Sequence, residues 1–297
     1  VSKLTTIVIA AIVAVVASYV TATKFVVRSG SDGVVETKKE SVYDRVMRTG
    51  TIRCGYAPIE PVLRKDGNTG ELSGAAYDLV NEIGKKLSLK IEWVGEVGFA
   101  AMTQDVVSGR FDMICSTHMI SAARARVVDF STPVFYSDIS IFVRKDDARF
   151  DQDRSLLNSD KISFSSIDGT PVPSMILDEF PKAKIYSLPE ISAVSDALLA
   201  LDTGKVDATL IPNYEGMLYA ENNDNNIRPI SGLPLYRMSA GFQIPKDDMR
   251  FKNMIDATLE ELRGNGFIDR VVAKYRKYDG GLYASRSAYA PVLEKVK

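Results

Sequence analysis

Short apolar runs alternate with helix-patterned stretches twice along this chain, and that alternation restricts the fold more than any single motif does. Thr51 to Tyr56, Lys90 to Val94 and Phe111 to Cys115 read as strands. Between them, Tyr77, Val80, Ile83, Gly84 and Leu87 share one helical face at i, i+3, i+4 spacing, and a second helix over about Phe99 to Ser108 stops at Gly109. The pattern recurs with strands Lys161 to Ser165, Ala183 to Tyr186 and Val206 to Ile211, and with helices after Pro173 and over Ser192 to Asp202. A parallel strand pair needs a crossover long enough to hold a helix, so strands alternating with helices predict largely parallel sheets covered on both faces. The expected fold class is α/β, with two doubly wound lobes.

Two further strand-like segments, Ile139 to Arg144 and Arg237 to Ile244, flank the second lobe and read as paired hinge strands. After them, Met249 to Arg263 and Gly266 to Tyr275 are amphipathic helices that return to the first lobe. A length of 297 residues accommodates two cores. At the other end, Leu4 to Val20 carries no charge and follows Lys3, which fits a signal-peptide hydrophobic region or an N-terminal membrane helix. The organisation expected is residues 1–24 as signal peptide or anchor, 25–41 as linker, 42–140 with 236–279 as lobe 1, 141–235 as lobe 2, and 280–297 as a polar tail, a surface helix at most.

A formal net charge of -1, with 37 basic and 38 acidic residues spread along the chain, leaves no electrostatic footprint for nucleic acid. Two cysteines, Cys54 and Cys115, and one histidine, His118, are too few for a structural zinc site, and no metal or cofactor is expected. Each cysteine closes an apolar strand. Export would permit a disulfide, while side-by-side core thiols fit at least as well.

In open α/β sheets, ligands sit beyond the carboxyl ends of the strands. Two places meet that condition: Ser116 to Arg124, which enters a helix capped by Ser121, and Asp168-Gly169-Thr170 in the other lobe. Hydroxyls, backbone donors and a guanidinium suit a carboxylate, because arginine presents a planar fork that matches two oxygens. Without a bound anion, Arg124 in the first turn of a helix is merely a surface residue set mildly against the dipole.

SGRFDMICSTHMISAARARVVDFSTPVFYS resembles the signature of the family 3 bacterial solute-binding proteins, the amino-acid receptors of ABC importers. TIRCGYAP and GELSGAAYDLVNEIGKKL before it, and KVDATLI and LEELRGNGFIDRVVAKY after it, follow that family's order from about Thr51 to Tyr278. The resemblance implies a periplasmic-binding-protein type 2 fold, a periplasmic or cell-surface location, no catalysis, and an ABC permease as partner. It implies that Arg124 pairs a ligand carboxylate, that Thr117, with Ser116 beside it, and Thr170 add contacts from the two lobes, and that Phe99 forms an aromatic wall, unless that ring is simply core.

Three positions depart from the family. Met119 stands where a serine or threonine is usual, Pro212, followed by Asn213, where an aspartate is usual, and Glu60 where an aromatic is usual. The usual partners of a ligand ammonium are therefore missing, and an unpaired buried ammonium is costly. Either Glu60, Asp78 or Glu215 pairs it from a new direction, or the ligand is an organic acid without one. His118 is either a bystander at the cleft mouth or a contact whose protonation strengthens anion binding in mild acid. Two rival functions remain open: a tethered sensory or structural module that no longer serves transport, suggested by Met119 and Pro212, and a dehydratase-like enzyme using Glu60 or His118 as acid or base.

Overall fold

The computed structural model describes residues 40–285. The apolar N-terminal run, the linker and the end of the tail lie outside these residues. Helix α1 (Val42–Thr49) is capped by Ser41, whose hydroxyl accepts from the Asp44 N–H, and leads into β1 (Thr51–Tyr56). A small ribbon of β2 (Arg64–Lys65) and β3 (Leu72–Ser73) precedes α2 (Ala75–Leu87) and β4 (Lys90–Glu96). Then come α3 (Ala101–Ser108), β5 (Met113–Met119), α4 (Ala122–Ala125) and β6 (Val128–Phe130). The long β7 (Phe135–Arg144) carries the chain into the second half, built from β8 (Ser163–Ile167), α5 (Val172–Glu179), β9 (Lys184–Leu188), α6 (Val194–Asp202), β10 (Ala208–Pro212), α7 (Asn213–Asn222) and β11 (Ile227–Pro229). The return path is β12 (Tyr236–Pro245), α8 (Met249–Gly264), α9 (Phe267–Tyr275) and a final β13 (Tyr283–Ala284).

Both halves share one 11-stranded sheet whose main path runs β4-β1-β5-β12-β7-β10-β8-β9. The outer pairs β1 with β4, β1 with β5, β8 with β9 and β10 with β8 are parallel, as the strand and helix alternation requires. The two central strands, β7 and β12, run antiparallel to each other and to β10 and β5 on either side. Side chains on successive strand residues point to opposite faces, so each half builds two core layers. Met113 and Cys115 pack with α1, α2, α8 and α9, whereas Ile114 joins Phe111, Val128 and Met102 of α3 on the other face. In the second half, Ile141 and Val143 face Phe164 and Ile176, while Phe142 turns to Leu198, Leu201 and Ala220. Helix α7 approaches so closely that a Cβ on Gly216 would lie 2.2 Å from the Phe142 ring, which requires glycine there.

Three features differ from the sequence reading, and one decides an alternative that it left open. Cys54 and Cys115 form a disulfide with Cα atoms 5.4 Å apart, not a pair of free thiols, because β1 and β5 are adjacent strands that place both side chains on one face. Closing a loop across 61 residues contributes about 4 kcal/mol on a chain-entropy account. Strand β5 does not end at Cys115 but continues through Met119, since His118 and Met119 pair with Gly241 and Ala240 of β12. Helix α7 occupies Asn213–Asn222, a stretch whose lack of apolar periodicity hid it. The start of the tail is no surface helix: Tyr283 and Ala284 pair with Tyr136 and Phe135 of β7, and Leu282 is buried in the first core.

Candidate functional site

A cleft of about 160 Å³, open at its mouth, lies where β5 and α4 of the first half face β8, β10 and α5 of the second, with β7 and β12 as its floor. Strand ends dictate what it presents. The last residues of β5, Thr117 to Met119, reach it from one side, and the last residues of β8, Ser165 to Ile167, from the other.

Arg124 lines the cleft from α4, where the Ser121 hydroxyl accepts from its backbone N–H at 3.4 Å. Its guanidinium is half-buried, and among the described residues no carboxylate pairs with it. Burial pulls its pKa down, as expected for a charge removed from water without compensation. Two hydroxyls nearby share that condition. Thr117 Oγ1 and Ser166 Oγ are buried and have no hydrogen-bond partner among the described residues, although most buried hydroxyls are satisfied. One belongs to each half of the molecule.

The other expected residues are distributed unevenly. Phe99 and Met119 line the cleft, and the Phe99 ring meets His118 edge-on at 6.1 Å between centroids while packing on the α3 layer. Thr170 also lines it, yet both its hydroxyl (2.7 Å) and its backbone N–H (3.3 Å) donate to the Ile167 carbonyl, so neither donor points to a ligand. Ser116 does not reach the cleft. Its hydroxyl accepts from the Ala57 N–H at 2.9 Å and meets His118 Nε2 at 2.9 Å, an internal bracket for the strand. Asn213 is turned away as well, donating to the Asp279 carbonyl at 2.6 Å.

Of the acids named as ammonium partners, Asp78 is excluded by geometry: it accepts from Lys274 at 2.7 Å and from the Tyr275 hydroxyl at 3.0 Å on the outside of α2. Glu60 lines the cleft and sits 3.7 Å from Arg64. Glu215 lines it from α7, and burial, reinforced by the nearby Glu60 charge, pushes its carboxyl up to about 8. His118 is also corrected. It is 4% exposed rather than at the mouth, and burial, with the Arg124 charge second, pushes it down to about 3, so it stays neutral in mild acid and adds no charge for an anion.

Ser166 was missed by sequence reasoning because the strand was ended at Ser165, one position short of it. The rule that ligands sit at strand ends would have reached it with the correct boundary.

The arrangement can bind an anion, and known proteins of similar sequence and shape are named as binding proteins. The glutamate-binding protein GluB of Corynebacterium glutamicum is 25% identical over 257 residues, covering 83% of this chain and 82% of that one. The ABC transporter glutamine-binding protein GlnH of Bacillus subtilis is 24% identical, covering 72% of this chain and 77% of its own. The crystal structure of the ancestral amino acid-binding protein AncCDT-1, a precursor of cyclohexadienyl dehydratase, superposes with a TM-score of 0.70 at 26% identity, over 80% of this chain and all of that one. Residues 51–278 match the model of the bacterial extracellular solute-binding proteins, family 3, and this chain, a solute-binding protein with a type 2 periplasmic-binding-protein fold, belongs to that family.

Proposed function

We propose that this protein captures a small carboxylate-bearing ligand, an amino acid or a related organic acid, with the Arg124 guanidinium as the grip, and delivers it to an ABC permease. The observation that carries the reading is the half-buried guanidinium with no carboxylate partner beside two orphaned hydroxyls, Thr117 and Ser166. A carboxylate entering between them would replace the hydration Arg124 has lost and accept from both hydroxyls. Because one hydroxyl belongs to each half, such a ligand favours the arrangement in which the halves approach, and the closed population rises with ligand. A permease that recognises that population is the implied partner, in keeping with relatives named as parts of ABC transporters. The apolar run at residues 4–20 is proposed to direct export and to serve as signal peptide or anchor, and the intact mass of the purified protein distinguishes the two.

Thermal-shift and calorimetric screening of amino acids and organic acids tests the main reading. A stabilising ligand whose effect vanishes in Arg124→Ala supports it. The absence of any carboxylate ligand across a broad panel would overturn it in favour of a module that does not transport. A catalytic reading is kept open by Glu215, a carboxyl placed in the cleft and protonated near neutral pH, and by the likeness to a dehydratase precursor. Chemical change of a bound ligand over time is the readout for it.

A further inference from the structure

The described chain just beyond the family match, residues 279–285, stays packed against the protein. After Tyr278 it crosses the second half, where Lys277 pairs with Glu221 of α7 at 2.7 Å and the Tyr278 ring packs on Tyr214. Asn213 holds the Asp279 carbonyl, and the Gly280 carbonyl accepts from the Asp138 N–H at 2.8 Å. Gly280 has φ 77°, and a Cβ there would lie 3.0 Å from Asn213 Nδ2 and 3.1 Å from Asp138 Oδ2, so the tight passage admits little but glycine. The segment then pairs with β7 and is pinned to the first half where Ser285 Oγ accepts from Arg263 Nε at 2.9 Å. This path brings Gly281 and the buried Leu282 into the lining of the cleft.

The rest of the lining is consistent with that residue. Phe135, Ile139, Met175, Met238 and Ile211 converge on the same space from β7, α5, β12 and β10. Among the described residues Arg124 is the only arginine or lysine in the lining, and it is assigned to the carboxylate; Glu60, beside Arg64 at the loop, and Glu215 are its carboxyl groups. Those two carboxyl groups are the candidates for an α-ammonium, which leaves no further charged arginine, lysine or carboxylate among the described lining residues for an ionised ligand side chain, and burying one unpaired is costly. The two curated relatives, by contrast, are named for glutamate and glutamine, whose side chains end in polar groups.

We infer that the cleft selects carboxylates with an apolar body, namely aliphatic or aromatic amino acids or their 2-oxo acid analogues, and that Leu282, supplied by the segment after the family match, is one of the residues that sets this selectivity. The inference rests on the carboxylate reading of Arg124. Discrimination follows from the asymmetry of such pockets: an apolar wall gains from each buried methylene but leaves a charged or amide terminus without partners.

The test is titration calorimetry of the full chain at neutral pH with leucine, phenylalanine and their 2-oxo acids against glutamate, glutamine, arginine and histidine. The best apolar carboxylate is expected to bind at least tenfold tighter than any of the polar four, and the preference between amino and 2-oxo forms tells which source supplies the ligand. Leu282→Asn is expected to weaken the apolar ligand at least tenfold, whereas Leu282→Met retains it. Should Leu282→Asn not fold, Met175→Gln, at a partly exposed position of the same wall, serves in its place. A polar amino acid that binds tighter than every apolar one, with its binding still lost in Arg124→Ala, overturns this inference and leaves the carboxylate reading standing. So does an apolar ligand indifferent to both wall substitutions. No binding by any carboxylate removes both readings.

Discussion

A pair of arginines and a single one, all in the first half of the molecule, have opposite surroundings. Arg45 and Arg53 converge on Asp112, which is fully buried: Arg45 Nε donates to Oδ1 at 3.0 Å, Arg53 Nη2 to the same oxygen at 3.0 Å, and the Arg53 backbone N–H to Oδ2 at 2.6 Å. Arg124, one strand and a short helix further along, has no such acid among the described residues. The first arrangement ties α1 to β1 and the start of β5 and is complete within the chain. The second leaves charge partly desolvated and uncompensated, which a protein retains only where something else completes it. The contrast separates a charge that serves the fold from one that serves a ligand, without reference to where either lies in the sequence.

Experiments can break or sharpen that contrast. The largest effect is expected from Asp112→Asn, which leaves two guanidinium groups facing a neutral amide: stability falls by about 3–5 kcal/mol in chemical denaturation, while the folded fraction keeps its ligand affinity. Arg124→Ala should do the reverse, weakening the ligand by roughly 2–5 kcal/mol with stability unchanged or raised. If both variants lose stability alike, the distinction collapses.

Titration sharpens the picture from the second half of the cleft. The fold keeps Glu215 protonated up to about 8, whereas the unfolded chain releases that proton near 4.5, so the native state holds more protons in between and stability falls as pH rises through that window. His118 runs the other way. It stays neutral in the fold down to about 3 and takes a proton near 6.5 when unfolded, so its contribution is lost as pH falls from 6.5 towards 3. Glu215→Gln should therefore remove the fall in melting temperature between about pH 4.5 and 8 and leave the profile below 4.5 intact; an unaltered slope in that window would show that Glu215 is not held protonated. The smallest effect concerns the orphaned hydroxyls. Thr117→Val and Ser166→Ala each remove an unsatisfied buried group, and each should raise unliganded stability by about 1 kcal/mol in thermal unfolding while weakening ligand binding by a similar amount.

Much of the fold was legible in the sequence because parallel α/β topology writes itself in alternating periodicities. Helices α2, α6, α8 and α9 all occupy the stretches whose apolar spacing announced them. Arg124 and its Ser121 cap were legible for a related reason, since a cap followed by a short helix is local chemistry. What stayed hidden was set by contacts distant in sequence. Cys54 and Cys115 could be recognised as a bonded pair only once β1 and β5 were neighbours. The burial of His118 depends on β12 and on the Ser116 bracket, and the donors of Thr170 are diverted to Ile167 by a turn that its sequence does not advertise. Leu282 followed two glycines in a polar tail, and nothing local distinguished it from surface.

The shared sheet has a mechanical consequence. Strand β7 bonds to β12 and β13 over its first half and to β10 and β11 over its second, so no hydrogen-bond-free stretch separates the parts of the protein that face each other across the cleft. A joint of that kind does not swing like a door on a pin. Any rotation of one part against the other would have to be taken up as twist along that ladder, in the manner of a torsion bar.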